Sequence, residues 1–421
     1  MGTINPKIVD ELNKIIKIAN DNNGGEISES FIRDTIHDVN TDQDLFYNVI
    51  DYLSTHGVSL EITGVEEINE SPEENIKPYD PSTIDITPKT LSLDRIIDRL
   101  ENNEIDLMPD FQRKAGLWTN EQKSQLIESL ILRIPLPAFY FDGSENDNWI
   151  VIDGLQRLTT IKEFFVDATL KLSGLEFLKD LDGCTVTDMP RVYIRRMKET
   201  SIINYIINPG APINLKYNIF KRINTGGLKL EPQEIRHALF QGFATKYLKE
   251  LSDMPLFKKA TGYSIRTERM LDREFVLRFI AFYEMGVEKY DGSIDDYLNK
   301  AMEILNKKYP KDEGYVENIT RKFTLALDTT YETFGRFSFR RMPDLYKRRT
   351  ISKALFEAWT SILAHHDVDE LQKFVAHKKQ IIQEYMEMFQ DDEFNGCITS
   401  GKASSVRKMF DKIGQLVESY I

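Results

Sequence analysis

Apolar residues recur at helical spacing in the first part of the chain. The spacing from Ile8 to Ala19 predicts one helix, which "NNGG" ends. "ISESFIRDTI" predicts a second helix with Ser28 as its cap, "DQDLFYNVIDYLSTHG" predicts a third, and "VSLEI" predicts a strand. These elements indicate a small winged-helix-like module over residues 1–68. A linker rich in Pro and Glu follows over residues 69–86.

Residues 87–242 mix short apolar runs with amphipathic segments. "EIDLMPDFQRKAGLW" predicts a strand and a loop, and "AFYF", "WIVID" and "RVYIRR" predict further strands. "SLDRIIDRLENN" predicts a helix, and Thr119 and Gln122 have capping-box spacing at the start of another. From residue 243 to residue 421 the apolar spacing is mostly helical. The predicted fold class is therefore α+β, with a mixed α/β domain between the acidic module and a helical domain.

The negative charge of the chain is concentrated in its first fifth. The net charge is −13, and residues 1–86 hold 18 acidic and 5 basic side chains. The rest of the chain is balanced, which indicates an acidic module joined to a neutral body. Two cysteines argue against a disulfide framework. We expect a cytoplasmic protein, because the sequence shows neither a signal peptide nor an apolar run long enough to span a membrane.

The stretch "WIVIDGLQRLTTI" carries the sharpest chemical signal, because a buried strand passes into a helix through a glycine. The N–H groups of a helix N-terminus suit anions, and Gly154 allows a tight turn and close approach of a ligand. Arg157 could contact phosphate, and Asp153 could hold a metal ion or a ribose hydroxyl, while Thr159 adds a hydroxyl group. An Asp–Arg pair that only braces the turn explains the same residues equally well.

Two further polar clusters accompany this motif. "PDFQRKAGLW" contains Gln112 and Arg113, and "FKRINTGG" places Arg222, Asn224 and Gly227 at a turn whose N–H groups could hold an anion. Each cluster also has a plainer interpretation. The first could be an exposed basic loop anchored by its tryptophan. The Glu and Arg of "EPQEIRHAL", which follows the second, could be an ordinary surface pair.

A basic segment lies between residues 321 and 353, where nine basic side chains face three acidic ones. Phenylalanines and a tyrosine are interleaved with them, and basic and aromatic residues together suit a nucleic acid. A solvated face beside core aromatics is the alternative. We also predict that the acidic module folds back on this face and competes with DNA. The predicted nucleic-acid-binding residues are Arg336, Arg340, Arg341, Lys347, Arg348 and Arg349.

Four motifs of the chain together resemble the DGQQR-motif family, which includes the GmrS-like half of GmrSD-type modification-dependent restriction enzymes. They are "FQRKAGLW", "IDGLQRLTTI", "FKRINTGGLKLEPQEIR" and "TSGKASSVRKMF". The resemblance implies a ParB/sulfiredoxin-like domain over residues 87–242. Asp153, Gly154, Gln156 and Arg157 match the family motif, whereas Leu155 replaces its first Gln. The acidic module is similar to the acidic N-terminal region of bacterial primary sigma factors.

The resemblance implies a nucleotide-binding, NTP-hydrolysing protein of anti-phage restriction defence that engages DNA. The expected cofactor is a nucleoside triphosphate with Mg²⁺, and the expected catalytic residues are Asp153, Gln156 and Arg157. The alternative is a non-catalytic module that senses DNA or a phage component and recruits a separately encoded nuclease. The chain shows no nuclease motif of its own, so the sequence leaves open whether it is an enzyme. It also leaves open the oligomeric state.

Overall fold

The computed structural model of the 421-residue chain divides into two compact units. The sheet unit is residues 77–241, and the helical unit combines residues 1–76 with residues 242–421. The structure describes residues 6–21, 26–27, 29–40, 43–56, 58–60, 65–66, 85–107, 118–145, 148–223, 230–267, 269–308, 312–345 and 348–421.

The acidic module has three α-helices around an apolar core of its own. The predicted inner faces of the first and third helices are largely buried there, which confirms their periodicity, whereas Ser28 lies outside the described residues. The first two strands pair in parallel. The elements are α1 (Pro6–Asp21), β1 (Glu26–Ile27), α2 (Glu29–Thr35), α3 (Gln43–Thr55), β2 (Ser59–Leu60) and β3 (Val65–Glu66).

The sheet unit contains a five-stranded mixed sheet in the order β4-β8-β6-β7-β5. The pairs β4–β8 and β6–β7 are antiparallel, and the pairs β8–β6 and β7–β5 are parallel. The elements in chain order are β4 (Ile86–Ser92), α4 (Leu93–Glu101), β5 (Ile105–Asp106), α5 (Asn120–Ile131), β6 (Phe139–Glu145), β7 (Asn148–Asp153), α6 (Leu155–Phe165), α7 (Arg191–Lys198), β8 (Ser201–Ile207), α8 (Ile213–Ile223) and α9 (Pro232–Leu239).

The two faces of this sheet are packed differently. Phe139 and Phe141 belong to the apolar core that α4, α5 and α6 share with one face. Side chains alternate along a strand, so Asp142 points to the other face, where it pairs with Lys216 of α8 at 2.9 Å. Both members of this pair are buried. The pair therefore fixes α8 on the second face, because either charge alone would be left without a partner in the interior.

Three parts of the sheet unit differ from the sequence-based prediction. "RVYIRR" is not a strand but forms most of α7, which begins directly after Pro190. β8 and β4 were not predicted as strands, although β8 lies between β4 and β6 in the sheet. The capping box of Thr119 and Gln122 is confirmed.

The helical unit packs its helices around α15, most of whose residues are buried. Arg278 on α12 lies within this interior and pairs with two carboxylates. The remaining elements are α10 (Phe243–Asp253), α11 (Pro255–Thr261), α12 (Leu271–Met285), α13 (Ile294–Lys308), α14 (Glu313–Phe334), β9 (Ile351–Ser352), α15 (Lys353–Ala364), α16 (Val368–Ala376), α17 (Lys378–Met388), α18 (Asp392–Thr399) and α19 (Ala403–Glu418).

The acidic module is joined to the rest of the helical unit by a strand pair and by aromatic contacts. β3 pairs in parallel with β9, so that Val65 lies opposite Ile351. Tyr263 and Tyr331 pack against the core of the module. In the described part of the chain, no helix is both long enough and apolar enough to cross a membrane.

Candidate functional site at the β7–α6 junction

The junction between β7 and α6 depends on a glycine. Gly154 is the N-cap residue of α6 and has a φ of +100°, a backbone conformation that residues other than glycine rarely adopt. A Cβ atom there would lie 2.7 Å from Cε1 of Phe139 and closer still to Cδ1 of that ring. The turn thus requires glycine for its conformation and also for the close packing of the ring. It leaves the first N–H groups of α6 without acceptors inside the helix.

Arg157 is held by groups on both sides of this junction. Its Nη2 atom donates to Oδ2 of Asp153 at 2.9 Å and to the carbonyl of Ala138 at 3.3 Å, and its Nη1 donates to the carbonyl of Pro137. The guanidinium group also lies over the ring of Phe139, with its Cζ atom 4.6 Å from the ring centroid. Burial lowers the pKa of Arg157, and Asp153 opposes this shift. The predicted Asp–Arg brace is therefore present, whatever else the arginine does.

Asp153 and Gln156 differ in what they leave accessible. The side chain of Asp153 is 34% exposed and that of Arg157 only 11%, so solvent reaches the carboxylate more easily than its partner. Oε1 of Gln156 accepts the N–H of Trp118 at 3.3 Å. Leu155, at the position of the family's first Gln, packs against the apolar core. The amide of Gln156 thus ties the α6 N-terminus to the end of the loop before α5.

That loop carries the second motif. Gln112 and Arg113 lie outside the described residues, but the chain leaves the sheet after β5 and returns at Trp118. β5 runs parallel to β7, with Asp106 opposite Ile150. Both strands therefore run towards the same edge of the sheet, and the chain returns there at Trp118, whose N–H donates to Gln156 on the first turn of α6.

The third motif follows α8. Arg222 is exposed in the last turn of this helix, whereas Asn224 and Gly227 lie outside the described residues. The alternative interpretation, a surface pair after this turn, is wrong, because Glu234 and Arg236 are both buried, each 1% exposed. Oε2 of Glu234 accepts a hydrogen bond from the N–H of Glu231 at 2.7 Å and forms a capping box at the start of α9. This part of the motif therefore stabilises α9.

Thr159 is half-buried on the first turns of α6, and its neighbour Thr160 is buried. The hydroxyl of Thr160 donates to the carbonyl of Gln156 at 2.8 Å. Thr160 therefore has a structural role, and Thr159 is the more accessible hydroxyl of the two.

Two tyrosines beside this site were not among the predicted residues. Tyr140 of β6 lies opposite Asp153 of β7 and opposite Tyr205 of β8. The two rings stack with centroids 4.9 Å apart and an angle of 20° between their planes. Burial raises the pKa of Tyr140, and the nearby Tyr205 and Asp153 raise it further. The only sequence signal was Tyr140 between the two core phenylalanines of "AFYF", because β8 was not predicted.

The fourth motif, "TSGKASSVRKMF", runs from the end of α18 into α19 of the helical unit. The hydroxyl of Tyr290 donates to the carbonyl of Gly401 at 2.9 Å, and Arg407 donates to the carbonyl of Tyr290 at 2.8 Å. Gly401 also lines a small cavity beside Arg278 and Glu357. Through these contacts the motif holds α19 next to Tyr290 and beside the buried ion pairs of this unit.

The basic segment is less open than its sequence suggests. Arg340 is 1% exposed and donates to the carbonyl of Thr261 at 2.8 Å and to Ser264 Oγ at 2.6 Å, so its prediction as a DNA contact is corrected. The interleaved phenylalanines are buried as well, so they cannot stack on bases: Phe334, Phe337 and Phe339.

The other predicted DNA contacts lie nearer the surface. Arg336, Arg341, Arg348 and Arg349 are half-buried, and Lys347 lies outside the described residues. Arg341 donates to Oδ1 of Asn395 at 2.8 Å, and Arg348 donates to the carbonyl of Gly262 at 3.1 Å. Arg349 pairs with Asp344 at 3.3 Å, with its side chain 41% exposed. Arg349 therefore keeps part of its side chain exposed to solvent while it pairs with Asp344.

The sheet unit combines a mixed sheet with a strand–glycine–helix junction. Residues 95–241 match the family model described as the N-terminal domain of the GmrSD restriction endonuclease. The match spans the motif loop, the β7–α6 junction and α8–α9, and it confirms the resemblance of these residues to the GmrS-like half. No curated protein and no solved structure matches the chain. The likeness of the acidic module to sigma-factor regions stays a prediction.

Proposed function

We propose that the sheet unit binds a nucleoside triphosphate beside the β7–α6 junction and hydrolyses it in a restriction system that defends against foreign DNA. The observation that carries this proposal is the position of Gly154, whose turn presents the α6 N-terminus at the edge towards which β5 also runs and where the chain returns at Trp118. The family match implies the restriction role. It covers all three motif segments of the sheet unit, which supports a single site.

In this proposal the phosphate oxygens accept hydrogen bonds from the first-turn N–H groups of α6 and from Arg113 and Arg222. Arg222 is exposed in the last turn of α8, and we assign Asn224 and Gly227, the next residues of the same motif, to the same phosphate contacts. Arg157 has five N–H donors, of which three contact protein groups. The others add to the phosphate contacts, and the arginine also positions Asp153.

Mg²⁺ fits this arrangement, because that ion is commonly held by one or two carboxylates together with substrate phosphates. Asp153 would supply the carboxylate, and the ion would neutralise charge on the phosphates. Among the described residues there is no cluster of three acidic, His or Cys side chains that could hold a metal without the nucleotide. Gln156 would orient the attacking water after releasing the N–H of Trp118, while Thr159 adds a hydroxyl to the site.

Replacing Arg157 by alanine tests the proposal. We expect binding of ATP to weaken at least about tenfold, since the change removes a charged donor and frees Asp153 from its partner. Phosphate release should fall to background. Lys162→Ala is the matched control, because Lys162 lies on the same helix and its pair with Asp167 is 2.7 Å long but peripheral. Isothermal titration and a phosphate-release assay measure both effects. Equal, near-background values for wild type and Arg157→Ala would contradict the proposal.

A second candidate is a binding module without catalysis that senses DNA or a phage component and recruits a separate nuclease. The apolar Leu155 and the bond between Gln156 and Trp118 favour it, since both remove polar groups from the junction. Nucleotide binding without turnover would support this candidate. Metal-dependent cleavage of DNA by the purified chain alone would argue against it.

DNA engagement at the basic segment is expected to be limited by the acidic module. β3 lies against β9, which begins two residues after Arg349, so the acidic linker leaves the module beside this arginine. Neutralising the linker should tighten DNA binding about tenfold at low salt and little at high salt, because screening weakens the repulsion it removes. The variant replaces the five acidic residues of the linker by the corresponding amides: Glu70, Glu73, Glu74, Asp80 and Asp85.

Fluorescence anisotropy of a labelled DNA duplex at several salt concentrations measures this effect. A control variant with equal charge change replaces glutamates of the C-terminal helices by glutamine, and it should leave the affinity within about twofold. If both variants bind equally, general charge and not the position of the linker accounts for the change. An unchanged affinity in the linker variant would refute the competition.

A further inference from the structure

Four side chains form a row across the sheet and end at Asp153. Pro88 of β4 lies opposite Tyr205 of β8, Tyr205 lies opposite Tyr140 of β6, and Tyr140 lies opposite Asp153 of β7. Directly opposed residues of neighbouring strands project from the same face of a sheet, so Pro88, Tyr205 and Tyr140 form a continuous row with two stacked aromatic rings. Next to Tyr140 the pairing of β6 with β7 shifts its register, and Asp153 ends β7 beside that tyrosine.

This row is open, whereas the next row along the same face is covered. Pro88 is exposed and both tyrosines are half-buried, and Ile203, two residues before Tyr205 on β8, is 49% exposed. In the next row Asp142 and Ile207 are buried, and Asp142 is paired with Lys216 of α8. Lys216 thus holds α8 over the sheet at Asp142, whereas both tyrosines keep part of their surface exposed.

The tyrosine hydroxyls also lack protein partners. Within the described part of the chain, neither the phenol of Tyr140 nor that of Tyr205 makes a hydrogen bond, and neither oxygen is buried. Tyrosine pairs that serve only the core bury their rings and usually satisfy their hydroxyls. The two rings stack on each other, so their outer faces and their unused hydroxyl donors are what they offer to a flat, polar ring.

We propose that Tyr140 and Tyr205 form a stacking surface for the base of the nucleotide whose phosphates bind at the β7–α6 junction. The inference rests on the proposed function and names the part of the ligand that the phosphate contacts leave unassigned. Neighbouring strands are about 4.8 Å apart, so the rings lie one to two strand spacings from Asp153, a distance that a ribose can bridge. Stacking accepts any base, and the phenols can donate to acceptors on its edge.

The test compares ligands with and without a base on the full-length chain. The probes are ATP, GTP, CTP and UTP, and inorganic tripolyphosphate serves as the ligand that lacks a base. Tyr205→Leu and Tyr140→Leu should weaken binding of the nucleotides about tenfold, since loss of stacking on an aromatic side chain has that order of effect. Binding of tripolyphosphate should stay within about twofold of wild type. Tyr140→Phe and Tyr205→Phe should retain most of the nucleotide affinity.

Tyr193→Leu is the matched control, because Tyr193 is a half-buried tyrosine of the same unit that packs against the core from α7. Photocrosslinking of wild type with 8-azido-ATP adds a readout that does not depend on how the variants fold. We expect the label on peptides that contain Tyr140 or Tyr205.

The outcomes separate this inference from the function on which it rests. If wild type binds neither nucleotides nor tripolyphosphate, both the proposed function and the stacking surface fail. If wild type binds both but the leucine variants keep the nucleotide-to-tripolyphosphate affinity ratio of wild type, only the stacking surface is overturned. Tripolyphosphate binding as tight as that of all four nucleotides, or crosslinks confined to other peptides, would overturn it as well.

Discussion

Replacing Gly154 by alanine is expected to destabilise the sheet unit by about 2 to 6 kcal/mol and to abolish nucleotide binding. An alanine at φ +100° is strained by about 1 to 3 kcal/mol, and forcing extra atoms into a packed interior adds about 1 to 3 kcal/mol. The new Cβ meets the ring of Phe139 and would lie 3.2 Å from Nη2 of Arg157, whose guanidinium group lies over that ring. The ring cannot move without disturbing the Asp153–Arg157 brace.

Gly210→Ala is the matched control. Gly210 lies in the same unit with a φ of +94°, but a Cβ there would have nothing within 4 Å. It should therefore show the conformational strain alone, about 1 to 3 kcal/mol. Hydrogen exchange measured by mass spectrometry on peptides of β6 and β7 reports the local stability of the junction. Equal protection of these peptides in the two variants would show that the contact with Phe139 does not matter.

Replacing Arg278 by leucine is expected to destabilise the helical unit by about 3 to 5 kcal/mol, because it leaves two buried carboxylates without their shared partner. Arg278 is 2% exposed and contacts Glu274 at 3.0 Å and Glu357 at 2.8 Å. Lys353 also forms an ion pair with Glu274 at 3.5 Å. Removing the arginine therefore costs Glu357 more of its electrostatic stabilisation than it costs Glu274. Urea unfolding followed by circular dichroism measures the change.

The destabilisation caused by Arg278→Leu should increase as the pH rises. Burial raises the pKa of Glu357 to about 7, well above its ordinary value, and Arg278 opposes that shift. A folded-state pKa above the unfolded value means that stability is highest below the unfolded pKa and falls as the pH rises towards 7. Without Arg278 the folded-state pKa rises further, and this fall continues beyond pH 7. The destabilisation should therefore be larger at pH 8 than at pH 5.

Two controls separate this effect from a general loss of charge. Arg321→Leu removes an exposed arginine of α14 that contacts Asn318, and its effect should be within about 0.5 kcal/mol. Arg278→Leu combined with Glu357→Gln should recover part of the stability at pH 8, since the glutamine carries no charge. If the double variant is no more stable than Arg278→Leu at pH 8, ionisation of Glu357 is not the cause.

The sequence predicts best those elements whose apolar positions face the core and whose polar positions face solvent. α4 buries on one face the four apolar residues of its predicted helix, which are Leu93, Ile96, Ile97 and Leu100, and α5 begins with the predicted capping box. β4 is an edge strand with three exposed positions in its middle, so no apolar alternation marks it. β8 has the alternation, but α7 before it shows a similar run of β-branched and aromatic residues. Pro190 and the contacts of Met197 with the core decide that α7 is a helix.

The candidate site could be predicted only where its residues are close in sequence. The Asp153-to-Arg157 motif is local and was recognised, as was its interpretation as a brace, which the structure also contains. Tyr205 reaches Tyr140 only through the parallel pairing of β6 with β8, which no local pattern reveals. The burial of Arg340 depends on acceptors at Thr261 and Ser264, so a charge count alone misplaces it on the surface.

The pairing of Val65 with Ile351 has a consequence for the order in which the chain can fold during synthesis. The sheet unit is continuous in sequence and can complete its contacts once residue 241 has left the ribosome. β3 is made early but finds its partner strand only after β9 emerges, and contacts between distant segments form slowly. Until then β3 is an unpaired strand beside the acidic linker, whose charge disfavours pairing with another chain.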